Sequence, residues 1–405
     1  MALAAHRSGS ATVVGGGPAG LMAAEVLAAN GLTVTVFEHM PSVGRKFLLA
    51  GRGGLNITHS EPIDQMITRY GRSAEGLAEA VHTFAPADLR AWCAGLGQPT
   101  FVGTSGRVFP QAFRATPLLR AWLQRLASFG VKIETRHRWL GFAGATGSRF
   151  GRTDGSTIEL DSDVTILALG GASWPRVGSD GGWVACMREV GIVVNDLRPA
   201  NGGIQVDWSA AFADQFEGLP LKNVAVTVAA ASVRGDAMIT RAGLEGGPIY
   251  AHSAAIRDAL DANSCCTLSV DLHPDLTLSQ LRDRLGRRRP KESLTTLLRR
   301  VGLHPVSIAL LRESTQNQLP SDASGLAALV KAVPVVVTST MPIARAISSA
   351  GGVAFSEVNR SLMLIRRPGT FIAGEMLDWE APTGGYLLQA CFSTAVAAAR
   401  ACIAS

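Results

Sequence analysis

The chain has 405 residues, 47% of them hydrophobic and 17% charged, with a formal net charge of +6. These values exclude a disordered chain and a single small core, and they predict two or three packed domains. The six cysteines are scattered without a C-x-x-C pair, which excludes dithiol–disulfide reductase chemistry and fits a reducing compartment. No Cys/His grouping has the spacing of a structural zinc site, so no metal is expected.

At the N-terminus, Arg7 and the apolar run behind it imitate a secretory signal or a membrane span. Gly15-Gly16-Gly17-Pro18 would break such a helix in its middle. The expectation is therefore a cytoplasmic, soluble protein without a membrane partner, whose first ten residues form a loose tail.

Residues 11–38 read as a strand, a glycine-rich turn, a helix and a second strand that ends on an acid. Gly15, Gly17 and Gly20 have the G-x-G-x-x-G spacing, with Pro18 and Ala19 inside the turn. Gly15 lets the chain turn sharply out of the strand, Gly17 lets a pyrophosphate approach the backbone, and Gly20 lets the helix pack closely. The helix N-terminus offers free N–H groups to phosphate. Glu38 ends the second strand at the distance where a carboxylate reaches a ribose hydroxyl, and His39 follows it. Together these predict an adenine dinucleotide site.

A loop follows, and residues 62–96 are mostly helical in pattern, with a helix start at Pro86-Ala87-Asp88. Residues 116–129 predict a helix, 131–135 a strand and 149–160 a hairpin. The apolar run 164–169 predicts a buried parallel strand feeding the turn at Gly170-Gly171. After about residue 200 the character changes. Antiparallel strands are expected at 219–233 and 266–270, and an Arg-rich helical stretch at 276–311. From about residue 350 short apolar strands and glycines return. Residues 371–373 predict a strand, 374–385 a loop and 386–402 an Ala-rich helix. This organisation predicts an α/β fold. A discontinuous Rossmann-like nucleotide-binding domain takes residues 1–200 and 345–405. A part-β, part-helical insert takes 201–344, its Arg-rich helical part at about 272–330.

The second informative stretch is FIAGEMLDWEAPTGGYLLQ, where acids at Glu375 and Asp378 follow a strand end and Gly384-Gly385 opens the last helix. A flavin ring needs such an end, with acceptors for ribityl hydroxyls and a helix N-terminus near the edge that becomes negative on reduction. The basic cluster from Arg282 to Arg300 has no interleaved aromatic residues, so a solvated helix face is favoured over a nucleic-acid surface.

Several blocks, in order, resemble the BaiN-like or aminoacetone oxidase family of NAD(P)/FAD-dependent oxidoreductases. They run from Val13-Val14-Gly15-Gly16-Gly17-Pro18-Ala19-Gly20 through Gly44-Arg45-Lys46-Phe47-Leu48 and Gly53-Gly54-Leu55-Asn56-Ile57-Thr58. Val108-Phe109-Pro110 and Leu169-Gly170-Gly171-Ala172-Ser173-Trp174-Pro175 come next. Ile239-Thr240 through Gly247-Pro248 and Ala373-Gly374-Glu375 through Gly384-Gly385-Tyr386 complete the set. The resemblance implies bound FAD in a two-dinucleotide-binding-type fold, with an inserted β-barrel-like and helical region.

It further implies pyrophosphate at Gly15, Gly17 and Gly20, the adenosine ribose at Glu38, and positive charge from Arg45 and Lys46. Asn56, with Gly54 and Leu55, would lie near the flavin. Leu169, Gly170 and Gly171 would end the strand beneath the adenosine, with Trp139 in the cofactor-binding set. Gly374 and Glu375 would serve the ribityl chain, with Asp378 close by, and Gly385 with Tyr386 the pyrimidine edge. Family members commonly carry Gly-Arg-Cys-Asn where this chain has Gly53-Gly54-Leu55-Asn56, so a thiol at that place is missing.

His59, His137 and His252 are candidate proton donors. His252, after the turn Gly246-Gly247-Pro248, is chosen as the acid/base, and Trp174 and Trp379 as pocket walls. The expected function is an FAD-dependent oxidoreductase that passes a hydride through the flavin N5 to or from a small organic substrate. No second G-x-G-x-x-G is present, so either NAD(P)H would dock transiently as donor, or oxygen or another acceptor would close the cycle. The alternatives are an NAD-dependent dehydrogenase without flavin and a flavin-dependent RNA-modifying or RNA-binding protein. Oligomeric state has no signature in the sequence.

Overall fold

The computed structural model describes residues 9–50 and 53–404. The expected N-terminal tail falls mainly on residues 1–8, outside the described residues. The chain divides into two compact units. One combines the residues up to Arg198 with those from Ser348 onward, and the other is Pro199–Ile347.

Five strands form the centre of the first unit: β1 (Ser10–Val14), β2 (Thr33–Glu38), β3 (Lys132–Thr135), β4 (Val164–Leu167) and β5 (Thr370–Ile372). They lie in the order β5-β4-β1-β2-β3 and every pair is parallel. Val13 sits between Val36 on one side and Ile166 on the other, and all three are fully buried. Parallel strands need cover on both faces, which is why these strands read as continuous apolar runs.

The helices α1 (Pro18–Ala29), α2 (Arg45–Ala50) and α3 (Tyr386–Ala404) flank the site described below. α1 packs on α3, and the alanines of both helices (Ala23, Ala24, Ala395, Ala399) are fully buried. Among the described residues α3 is the one helix long and apolar enough to cross a membrane, and more than half of that stretch is buried inside the protein.

The helical region 62–96 resolves into Ile63–Thr68, Ala74–Thr83 and Pro86–Gly95. The last begins where the Asp88 carboxylate accepts the Ala85 N–H at 2.8 Å. The hairpin foreseen at 149–160 is part of a three-stranded antiparallel sheet, whose first strand, His137–Ala143, has no counterpart among the sequence expectations. A single residue divides it from β3, Arg136, with φ +60°.

The second unit is built on a seven-stranded sheet. Its order is Val333–Val337, Cys266–Asp271, Pro220–Val228, Ala231–Thr240, Gly243–Gly246, Ile204–Gln205 and Ser339–Thr340. Every pairing is antiparallel. The segment 219–233 turns at Ala229, where φ is +51°, and becomes two strands instead of one. Only Thr338 separates the first strand of the sheet from the last, so its two edges are consecutive in the chain and the sheet closes in a barrel-like manner.

The helices of this unit include Leu278–Gly286, Leu294–Arg300, Pro305–Ser314 and Ala323–Lys331. Pro290 and Pro305 prevent one continuous helix over 276–311. Thr277 and Ser293 cap the first two through their side-chain oxygens. The whole is an α/β fold with a parallel Rossmann-like sheet and antiparallel inserted sheets.

Candidate functional site

In the order β5-β4-β1-β2-β3 the direction of winding reverses between β1 and β4, and ligands of open parallel sheets bind beyond the strand ends at such a point. A crevice open to solvent lies there, lined by Gly15 to Ala19 on one side and Ala168 to Gly170 on the other. Gly15 makes it: φ is +108°, and a Cβ at this position would stand 2.3 Å from the Ala168 carbonyl oxygen. Gly20 packs as tightly, since its Cβ would meet the Gly15 carbonyl oxygen at 1.9 Å. At Gly17 a Cβ would have no atom within 4 Å, so the backbone there borders open space. α1 starts at Pro18 with no side-chain cap, which leaves its first N–H groups for a ligand.

Charged and polar side chains surround this floor. Glu38 accepts the N–H of Gly16 through Oε2 and that of Met40 through Oε1, each at 2.8 Å. Its carboxylate thus braces the glycine turn against the end of β2, in addition to facing the crevice. His39 also lines the crevice, with Nδ1 3.2 Å from Glu38 Oε1. At the start of α2, Arg45 Nε is buried without a hydrogen-bond partner in the protein. Lys46 Nζ lies 2.7 Å from both Ser173 Oγ and Glu375 Oε2, and Glu375 Oε1 accepts the Ser349 N–H at 3.2 Å.

The structure therefore brings Gly15, Gly17, Pro18, Ala19, Glu38, His39, Arg45, Lys46, Leu169, Gly170 and Glu375 to one crevice. Gly171 and Gly374 adjoin it. A Cβ on Gly171 would strike Ser349 Oγ, and one on Gly374 would stand 2.8 Å from Ala19 Cβ. A second group of the expected residues sits together elsewhere in the unit. A Cβ on Gly385 would fall 2.4 Å from the Thr58 carbonyl oxygen. The Tyr386 ring stacks on His59, with centroids 5.3 Å apart. Gly384 precedes this contact with φ +139°. Leu55 is fully buried, Gly54 has φ +106° against the Phe113 ring, and Asn56 Oδ1 is buried without a partner in the protein.

Four expectations change. Asp378 does not reach the crevice, because its Oδ2 accepts from Asn195 Nδ2 at 2.6 Å. Trp379 is core and not wall: it is 1% exposed and donates Nε1–H to the Gly374 carbonyl at 2.8 Å. Trp139 is buried in the strand His137–Ala143 against Phe142, and is not among the crevice residues. His252 lies in the second unit, 3% exposed, with Nε2 2.9 Å from the Val226 carbonyl oxygen. A ring so enclosed is a satisfied core histidine. The other candidates are likewise engaged: His59 Nε2 meets the Ser105 carbonyl and His137 Nδ1 the Thr135 carbonyl.

Sequence reading missed Ser42, Ser179 and Cys391 in the crevice lining. Ser179 Oγ is buried and unpartnered; its only signal was the short polar turn after Trp174-Pro175. The Cys391 thiol is pushed up to about 12 by burial, with the Glu375 charge adding to the effect, so it is protonated and unreactive. The donors fit a dinucleotide. Bare backbone at Gly17, an unpartnered guanidinium nitrogen and an unpartnered hydroxyl are what phosphates and riboses would satisfy.

The family model described as HI0933-like protein Rossmann domain matches residues 10–401, and the chain belongs to that family. It is 26% identical to the 3-dehydro-bile acid delta(4,6)-reductase of Clostridium scindens (strain ATCC 35704 / DSM 5676 / VPI 13733 / 19) over 96% of this chain and 98% of that one. Among solved structures, its fold is similar to 3-ketosteroid delta1-dehydrogenase from Sterolibacterium denitrificans, with TM-score 0.54 and 12% identity over 98% of this chain and 100% of that one. It is also similar to a flavocytochrome c3 fumarate reductase, with TM-score 0.52 and 13% identity over 98% and 78% of the two chains. The protein is an oxidoreductase of the FAD-dependent flavoenzyme class.

Proposed function

We propose that the protein holds FAD across the crevice and catalyses transfer of a hydride between NAD(P)H and a small unsaturated organic substrate. The observation that carries this reading is the open backbone at Gly17 beneath uncapped α1, flanked by the unpartnered Arg45 Nε and Ser179 Oγ. Bound FAD would supply the hydride-carrying N5. This chain's residues do the positioning. The α1 N-terminus and Arg45 hold the diphosphate, Glu38 the adenosine ribose, and the Lys46–Glu375 pair the chain beyond it.

The relative from Clostridium scindens is a reductase of a 3-dehydro-bile acid by name. That supports an electron-poor carbon–carbon double bond as the acceptor here. One carbon takes the hydride, the other takes a proton, and NAD(P)H is oxidised. The absence of a second glycine-rich βαβ turn supports a nicotinamide that docks transiently.

Mass analysis of the cofactor released on heating tests the first half; a colourless protein that releases no FAD ends it. Anaerobic mixing with NADPH and with NADH tests the second. Bleaching of the visible flavin band is expected with one of them, and bleaching by neither removes the nicotinamide donor.

A further inference from the structure

We propose that the second unit carries a ligand site of its own, an amphipathic groove that takes an organic anion with a flat apolar body. The site lies within Pro199–Ile347 and does not depend on the cofactor reading. One wall comes from Trp208 and the helix Ala210–Phe216. The Trp208 and Phe212 ring centroids are 4.9 Å apart, and those of Phe212 and Phe216 5.2 Å. Spacing by four residues stacks the rings along one helix face. The other wall comes from the helices Leu294–Arg300 and Pro305–Ser314, which contribute Arg299 and Arg312. The space between the walls holds about 810 Å³ and is open to solvent.

The charges of this groove select its occupant. Glu313 keeps its charge, but its carboxylate is turned to Ser209, accepting from the N–H and the hydroxyl at 2.5 and 2.9 Å. Arg312 donates only to neutral acceptors, Thr295 Oγ1 and Asn317 Oδ1. Among the described residues Arg299 has no ion-pair or side-chain hydrogen-bond partner and is exposed. The other carboxylate of the lining, Asp207, belongs to the aromatic wall. Two guanidinium groups without a carboxylate partner thus border a groove whose far side is aromatic. Guanidinium groups take carboxylates or sulfonates in a forked geometry, and the half-buried rings of Trp208 and Phe216, backed by the buried Phe212, offer apolar surface to a flat hydrocarbon body.

The test uses the full chain with its cofactor and two probes that share one ring system, 8-anilino-1-naphthalenesulfonate and uncharged N-phenyl-1-naphthylamine. In fluorescence titrations the sulfonate is expected to bind about tenfold more tightly than the neutral probe, the worth of one charge-assisted hydrogen bond. Arg299→Glu, a change on an exposed and unpaired side chain, is expected to abolish that preference and leave the neutral probe's affinity unaltered. Phe216→Ser is expected to weaken both probes. An unchanged far-UV circular dichroism spectrum and melting temperature report that each variant is folded. Equal affinity of the two probes for the wild type overturns the proposal, as does sulfonate affinity that Arg299→Glu leaves intact. Probe binding that disappears as the protein self-associates assigns the groove to a second copy, and overturns it too.

Discussion

Lys46 and Glu375, 329 positions apart in the chain, meet at 2.7 Å through Nζ and Oε2. Their side chains are 26% and 13% exposed, so neither charge is fully solvated, and the contact joins α2 to the loop after β5. Removing one partner strands the other. Glu375→Gln is expected to cost about 1–3 kcal/mol of stability, read from urea denaturation of the FAD-free protein. A double-mutant cycle with Lys46→Met should return a coupling energy of about 0.5–3 kcal/mol. Additive effects would show that the contact contributes nothing of its own.

Gly17 and Gly20 separate binding from folding. Gly20→Ala places a methyl group 1.9 Å from the Gly15 carbonyl oxygen, so the helix must shift, at an expected cost of about 1–3 kcal/mol. Gly17→Ala meets no atom within 4 Å, and its φ of −83° suits any residue. Its FAD-free form should melt within a few degrees of wild type, while FAD affinity falls by tenfold or more, about 1.4 kcal/mol. Unchanged FAD affinity in Gly17→Ala would remove the diphosphate from this turn.

Asp180 supplies a pH dependence. Burial raises its pKa, but the Gly182 N–H and the Arg138 guanidinium outweigh that and hold the carboxyl below the ordinary aspartate range. Arg138 Nη1 lies 2.9 Å from its Oδ2. A carboxylate depressed in the folded state stabilises the protein above its unfolded pKa, and that contribution disappears as pH falls through the folded value. Stability should therefore decline below pH ~4, and Asp180→Asn should flatten that part of the profile. An identical acid limb in the variant would contradict this.

Thiol reactivity should follow burial. The Cys391 and Cys402 thiols are each pushed up to about 12 chiefly by burial, and so is that of Cys93. Cys265 is exposed. Iodoacetamide at pH 8, followed by peptide mass analysis, should label Cys265 first and leave the buried Cys93 and Cys402 unmodified until the protein unfolds. Labelling of Cys93 or Cys402 as fast as Cys265 would contradict this.

Much of the first unit could be read in advance because its signals are local. Gly15, Gly17 and Gly20 between two apolar strands define a turn whatever follows, and 164–169 is too apolar to be anything but a covered strand. Contacts between distant segments had no such signature. Nothing near Cys391 or Ser179 reveals that they line the crevice, since their neighbours there come from α1, α2 and β4. Its place after Glu375 suggests the ribityl chain for Asp378, but Asn195, 183 positions away, holds it. The sequence neighbours of Trp379 and His252 point to the site, while burial decides the roles of both. The break of the last strand at Thr338 was equally hidden, because Val333 to Thr340 reads as one continuous run.

That break has a mechanical consequence for the inserted sheet. A strand at the rim of a sheet is an invitation to pair with a foreign chain, and here one short peptide connection closes both rims at once. Cutting the backbone at Thr338 would release two unpaired borders together, turning a sealed cylinder into an adhesive ribbon.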